Sequence, residues 1–493
     1  MFKLSENIDP NKIFIVNHSE LEGRIDPFFY KSEYSELEKK IEKSKYKKKL
    51  LKELIYKVIN GLDFRDYDIK GGIPYIKVAN IKKGFFDFSN LQYITPDIIK
   101  SSKDIQLEKG NLLLTRKGTF GNALCLEDDY NYIISSEVFY LKVKQSIVLS
   151  KYLEIYFNSN IGQKFFKKIS IGAIMGSLSQ DAIKSIKIPL PPLEIQQQIV
   201  DLYKKAYTEK QQKEAEAQRL LDSIDDYLLG ELGITLPKEE EWLQQTTNKH
   251  NSYNLDNDNP LVKKGRLFLT NLSEVTGKRI DPDYNKIYYI NLLNAIKFVN
   301  NKPLKDLTSL IDYGLMPTQD YANSMEEGIP FIRVTNILNT GYIDMSDIKY
   351  IPFDTPRIEN KLVKENDILM VQCGSTTGKV AIVPKQFENY LANSFSFIIR
   401  SNNEILQEYL FYILNSSIIQ KQIKRSQNIV SVRPNTSKPA VENLLVPLPP
   451  LEKQNEIATH ISQIRSKANV LMQQGKEILE QAKQEVERMI LGN

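Results

Sequence analysis

Cysteine, histidine and long apolar runs are what this 493-residue sequence has least of. Its two cysteines, Cys125 and Cys373, fall one in each half without CxxC spacing, and its three histidines are His18, His250 and His460. That pattern argues against a disulfide framework and against a structural zinc, and it predicts a reducing, cytoplasmic setting. Histidines so scattered also argue against a His-based catalytic triad. The opening residues, MFKLSENIDPNKIFIV, carry charge throughout, so neither a signal peptide nor a transmembrane start is expected there, and no later stretch is apolar enough to span a bilayer. An excess of one charge is missing too: 66 basic residues face 61 acidic ones, a net +5 that identifies no partner by itself. With 41% hydrophobic and 26% charged residues the chain has enough apolar material for ordinary cores, which excludes disorder as a global state.

Catalytic motifs are scarce as well. GSTTGK (Gly374 to Lys379) is too short for a phosphate-binding loop and has Val380 where a hydroxyl should stand. FGNAL (Phe120 to Leu124) lacks the further glycines of a dinucleotide fingerprint. The only Pro-Pro pairs lie in two LPPLE segments, so the polar Pro-Pro-aromatic run of an amino-methyltransferase is absent. Glu359-Asn360-Lys361 has no Pro-Asp strand ahead of it and reads as surface charge. No catalytic residue and no metal site is expected. One local excess remains, eight lysines between Lys39 and Lys52. They could dock on phosphates or form a solvated helix face.

What the chain does have is a repeat. IPLPPLEIQQQI (Ile188 to Ile199) returns 258 residues later as VPLPPLEKQNEI (Val446 to Ile457), with eight of twelve positions identical. GRIDPFFY from Gly23 pairs with KRIDPDYN from Lys278, GIPYIKVANI from Gly72 with GIPFIRVTNI from Gly328, EKGNLLLTRKGTFG from Glu108 with KENDILMVQCGSTTG from Lys364, and YLEIYFNSN from Tyr152 with YLFYILNSS from Tyr409. Across these pairs the offset drifts only between 255 and 258. Two copies of one unit therefore stand in tandem.

Each copy carries short β-branched or aromatic strand signals, among them SSEVFYLKV in the first and NSFSFIIR in the second, followed by a helical stretch, Lys151 to Ile169 or Gln407 to Arg425. The fold class is α+β, two similar globular domains separated by two long antiparallel, coiled-coil helices with an internal pseudo-two-fold repeat. The expected division is a domain at 1–190, a helix at 191–235, a linker rich in Asn, Asp, Gln and Thr at 236–262, a domain at 263–448 and a helix at 449–493. Pro191-Pro192 fits a first helical turn, where a missing N–H costs nothing, and Glu194 favours the positive end of the dipole. In the second helix Ile457, Ile461, Ile464, Ala468, Leu471, Gly475, Ile478 and Ala482 step by four and three, a coiled-coil seam that runs on to Val486 and Met489. The register of the first gives Ile199, Tyr203, Ala206, Lys210, Lys213, Ala217, Leu220 and Ile224, polar in its middle. Forty helical residues extend roughly 60 Å at about 1.5 Å per residue, the length of a spacer.

Glycine-rich loops in the two copies carry residues suited to nucleic acid. The first offers Lys77, Asn80, Lys82, Lys83, Arg116, Lys117 and Thr119; the second offers Arg333, Thr335, Asn336, Asn339, Gln372, Ser375, Thr376, Thr377 and Lys379. Arg and Lys can bond guanine O6 and N7, and Asn or Gln can pair with adenine. The bland alternative is exposed loop polarity or plain phosphate contact.

The tandem arrangement, the two LPPLE helix starts and the GIPYI and GIPFI segments together resemble the specificity (S) subunit of type I restriction-modification systems, over nearly the whole chain from Gly23. The resemblance implies two target recognition domains, each reading half of an asymmetric, bipartite sequence in double-stranded DNA, with the long helices acting as ruler and dock. It implies no catalysis and no cofactor on this chain. The partners implied are two methyltransferase (M) subunits, bringing S-adenosylmethionine, and restriction/translocase (R) subunits using ATP and Mg; no membrane is involved. Arg116-Lys117 in one loop against Gln372-Cys373 in the other would give the two halves different base preferences. Two other readings stay open: a DNA-modifying enzyme, either a diverged adenine methyltransferase or a fused restriction protein, and a bivalent protein adaptor.

Overall fold

The computed structural model describes residues 26–64, 71–95, 105–170, 176–237, 279–281, 284–427 and 434–492, with Ile13, Ile15, Val16, His18 and Leu21 besides. Most of the expected linker, from residue 238 on, lies outside the described residues. The chain forms two compact units, one joining residues up to Ala215 with those from Leu471 onward, the other running from Glu216 to Val470. Both divisions fall inside long helices.

In the first unit, strands β1 (Ile55–Asn60), β3 (Leu112–Thr115), β4 (Ala123–Cys125) and β6 (Val138–Val143) form an antiparallel sheet in the order β1-β6-β3-β4. A second sheet places β2 (Ile73–Ile76) between Gln92–Ile94 and, in parallel, β5 (Ile133–Ile134). Apolar residues run without alternation along β3 because both faces of the sheet are covered. Leu112 and Leu114 enter the core that holds helices α1 (Ser150–Asn158) and α2 (Asn160–Ile169), while Leu113 and Tyr140 face a smaller core with Ile76 and Ile134. The single helical stretch expected from Lys151 to Ile169 is two helices. Ser159 is extended between them (ψ 166°), and its hydroxyl caps α2 by accepting the Gly162 N–H.

The second unit repeats this plan. Strands β7 (Thr308–Tyr313), β9 (Ile368–Val371), β10 (Val380–Ile382) and β12 (Ser396–Ser401) take the order β7-β12-β9-β10. Strand β8 (Gly328–Ile332) lies between Lys349–Pro352 and, in parallel, β11 (Leu391–Ala392). Helices α4 (Gln407–Asn415) and α5 (Ser417–Ser426) divide at Ser416.

The twice-used proline run has a local explanation. Its first residues form a strand: Lys187–Leu190 pairs with Lys47–Leu50, and Leu445–Pro447 with Asn301–Pro303. The helices then start one residue beyond the prolines, α3 at Leu193–Leu232 and α6 at Leu451–Leu491, so Pro191 and Pro192 lead into the helix rather than fill its first turn. Gln196, wholly buried, fixes that entry by accepting the Leu149 N–H (2.8 Å) and donating to the Pro191 carbonyl (2.9 Å). Gln454 repeats the latch on Leu406 and Pro449 at 2.8 and 2.9 Å.

The lysine run is not one helix face. Lys39 and Lys40 end the helix Ser32–Glu42, whereas Lys47 to Lys49 belong to the strand that pairs with Lys187–Leu190, and Lys48 Nζ donates to the carbonyls of Glu42 and Ser44. The pairing requirement of the strand outweighs local helical pattern here.

The long helices run antiparallel within each unit. In the first, Ile199 and Val200 share a core with Val486 and Ile490, Lys210 abuts Gly475, and Lys213 Nζ donates to Gln474 (3.0 Å). In the second, Leu228 and Leu232 share a core with Ile457 and Ile461, and Lys453 pairs with Glu231 at 2.5 Å. Of the seam positions read from sequence, Ile199, Ala206, Ala217, Ile457, Ile461, Ala468, Gly475 and Ala482 are buried, and Tyr203, Leu220, Ile224, Ile464, Leu471 and Ile478 are half-buried. At Gly475 a Cβ would stand 3.4 Å from the Lys210 carbonyl oxygen.

Candidate nucleic-acid interface

Three loops meet at one end of each four-stranded sheet: the one leaving the first strand, the one leaving the central β3 or β9, and the short turn into β6 or β12. Strand register sets them together, since Phe139 lies opposite Asn60 and Val138 opposite Thr115, with Phe397 opposite Tyr313 and Ser396 opposite Val371 in the second unit.

The same backbone frame holds the loops in both units. Leu62 donates to the Ile134 carbonyl (2.9 Å) and accepts from Ser136 (3.2 Å); Arg116 donates to the Glu137 carbonyl (2.9 Å) and accepts from Leu178 (2.8 Å). In the second unit Leu315 donates to Ala392 (2.7 Å) and accepts from Ser394 (2.9 Å), while Gln372 donates to Phe395 (2.8 Å) and accepts from Thr436 (3.0 Å). Glycine opens each first loop because nothing larger fits. A Cβ on Gly61 would lie 2.1 Å from the Ile134 carbonyl oxygen, and one on Gly314 would lie 2.3 Å from that of Ala392.

The frame sorts the residues that the sequence proposed as base readers. Asn80 and Asn336 are buried and engaged: each Oδ1 accepts an N–H three residues back, from Lys77 (3.0 Å) and Arg333 (2.9 Å), and each Nδ2 donates to a carbonyl, of Asp87 (2.9 Å) and Asp344 (2.7 Å). Both amides cap a short 3₁₀ turn and are buried, turned inward to their own backbone rather than outward as the sequence expectation placed them. Arg333 is likewise held, its Nη2 on the carboxylate of Asp347 at 2.7 Å; that hydrogen bond, with the guanidinium charge, keeps Asp347 below the usual carboxylate range. Lys82 pairs with Asp87 at 3.4 Å. Lys77 lies 5.6 Å from the ring of Tyr75. Lys379 Nζ donates to the Ile337 carbonyl, and the Thr377 hydroxyl bonds the carbonyls of Gly374 and Pro434. Lys379 and Thr377 thus tie their loop to neighbouring segments at Ile337 and Pro434.

What faces outward is a smaller set. Lys117, Thr119, Thr335 and Ser375 are exposed, and Gln372 and Thr376 are half-exposed, whereas exposed Asn339 lines a cavity beside the long helices with Gln218 and Arg465. Arg116 rests over Phe139 (5.1 Å), with Nη1 toward the Ser136 carbonyl. Lys83 is exposed away from this loop end, its ammonium lowered by desolvation and by the like charges of Lys483 and Lys167. Sequence reasoning passed over the turn itself. Ser136-Glu137 and Ser394-Phe395 read as strand, yet the strands begin only at Val138 and Ser396. The shared hydrogen-bond frame, rather than the flanking repeat pairs at 256 and 257 residues, aligns Glu137 with Phe395.

A family model described as "Type I restriction modification DNA specificity domain" matches residues 43–219 and again 296–481, one match per repeat. The MjaVIII specificity subunit of a type I restriction enzyme from Methanocaldococcus jannaschii is 23% identical over 449 residues, 88% of this chain and 92% of that protein. A putative MjaX specificity subunit from the same organism is also 23% identical, over 90% of this chain and 91% of its own length. The crystal structure of a type I restriction-modification S subunit from M. genitalium aligns with 91% of this chain and 96% of its own at 12% identity, with a TM-score of 0.40. Because both repeats match the family model and together make up most of the sequence, this chain belongs to the type I restriction-modification DNA specificity family.

Proposed function

We propose that the chain is the non-catalytic reading member of a type I restriction-modification assembly, each unit recognising one half of a bipartite, asymmetric duplex target through the loop end of its four-stranded sheet. One observation carries this reading: the two loop ends share a hydrogen-bond frame and differ in the side chains they present, Arg116 in one against Gln372 in the other. A frame held constant under changed side chains suits two related surfaces that read different base edges. On this reading the long helices dock two methyltransferase subunits, and restriction/translocase subunits join through them. S-adenosylmethionine, ATP and Mg would then be held by those partners.

The experiment is selection of bound duplexes from a randomised pool by the full chain, alone and with its methyltransferase partner, followed by mapping of methylated adenines in cells that carry the complete system. Two short motifs with a fixed gap, bound with an affinity that falls steeply with salt, are expected. A single contiguous motif overturns the bipartite reading. Methyl transfer by the chain alone would make it an enzyme, and no DNA affinity at low salt would make it a protein adaptor.

A further inference from the structure

The turn into the central strand holds a second difference between the units. Where the frame puts Glu137 in the first, it puts Phe395 in the second; each offers its backbone carbonyl to the residue after the neighbouring central strand, Arg116 or Gln372. The Glu137 carboxylate is exposed and has no hydrogen bond or ion pair among the described residues. Phe395 is 46% exposed, and Met316, 62% exposed, stands beside it with its sulfur 3.2 Å from the Ser394 hydroxyl. Asp63 occupies the matching place in the first unit and accepts a hydrogen bond from Ser136. One loop end therefore presents carboxylates next to an arginine, and the other presents apolar groups next to a glutamine.

In the major groove, cytosine and thymine differ at two atoms. Cytosine offers an N4 amino donor and no methyl, whereas thymine offers an O4 acceptor and a 5-methyl group. A carboxylate accepts from the first and repels the second; an apolar side chain has no use for the amino group and packs on the methyl. Resting on the reading above, we infer that position 137/395 discriminates pyrimidines, Glu137 selecting cytosine in one half-site and Phe395 with Met316 selecting thymine in the other. Arg116 and Gln372, adjacent in the frame, suit guanine and adenine respectively. The first half-site then carries a C·G pair where the second carries T·A.

The test compares the unmodified full chain with Glu137→Gln, Glu137→Phe and Phe395→Glu in the same randomised duplex selection. Phe395→Glu should move one base pair of one half-site from T·A toward C·G by about tenfold and leave the other half-site unchanged; Glu137→Phe should do the reverse in the other. Glu137→Gln, which keeps size but loses the charge and turns one acceptor oxygen into an N–H donor, should relax the cytosine preference. An independent arm replaces thymine by deoxyuridine in the selected site, deleting the methyl alone; binding should weaken severalfold at the second half-site. Unaltered motifs in all three variants, or indifference to deoxyuridine, would overturn the inference while leaving the bipartite reading intact. If the unmodified chain selects no motif, both fall together.

Discussion

The backbone N–H of Asn160 donates to the carboxylate of Glu487 at 2.7 Å across 327 residues of chain. Its counterpart is the N–H of Ser417, which donates to Asp225 at 2.8 Å across 192 residues. Each bond places an acid at the positive start of a short helix, where orphan amides favour a negative partner. In both cases the acid comes from the long helix of the other repeat. The first unit is therefore completed by the end of α6, which also supplies Val486 and Ile490 to its core, and the second by the end of α3, which supplies Leu228 and Leu232.

Removing that contribution should be felt in the domain rather than in the helix alone. Ile490 is fully buried among residues of the first unit. Ile490→Ala should cost about 2–5 kcal/mol in denaturant unfolding, the range for truncating a buried aliphatic side chain. Hydrogen exchange should show the loss in β3 and β6. A variant as stable as the parent would mean that α6 merely lies against the first unit without completing its core.

Glu487 also has a pH signature. Burial raises its carboxyl above the ordinary value, and the hydrogen bonds from Asn160 and Ile161 only partly oppose this. A carboxyl with a raised folded-state pKa favours folding below its unfolded value, and that contribution is lost as pH rises through the raised one. Glu487→Gln keeps an oxygen to accept from Asn160 and removes the titration. Its stability relative to the parent should therefore climb as pH rises from the ordinary carboxylate value through the raised one. Parallel pH profiles of the two proteins would refute the assignment.

The buried latch at the helix entry gives a matched pair of expectations. Gln196→Ala would strand the Leu149 N–H, and Gln454→Ala the Leu406 N–H, each bond otherwise made at 2.8 Å. Each should lower stability by about 1–3 kcal/mol, the cost of a buried donor left without a partner. Equality of the two effects is the informative point, because it would trace the repeated LPPLE-x-Q sequence to one structural job.

These latches mark what was legible in the sequence and what was not. The repeat was readable from LPPLE, GIPYI and GIPFI because proline, glycine and strand apolar positions keep their spacing wherever the backbone keeps its path. Burial of single polar residues was not. Asn80 and Asn336 look like base readers by residue type, and only the 3₁₀ turn after β2 and β8 reveals that both amides face inward. Residue type names the chemistry a side chain can do; the local turn decides whether the chemistry points at solvent. The same limit hid Glu137 and Phe395, which sit one residue ahead of strands whose apolar pattern absorbed them.

That distinction yields a contrast between two loop residues of the first unit. Asn80→Ala should lower stability by about 1–3 kcal/mol, since it strands the Lys77 N–H and the Asp87 carbonyl, and should leave the selected DNA motif unchanged. Lys117, exposed at the loop end, should behave oppositely: Lys117→Ala should leave the melting transition in place, weaken binding to all duplexes alike and reduce the salt dependence by about one counterion. A shift of base preference in Lys117→Ala would instead make Lys117 a base reader, and a changed motif in Asn80→Ala would mean that its turn sets the pose of a neighbouring reading loop.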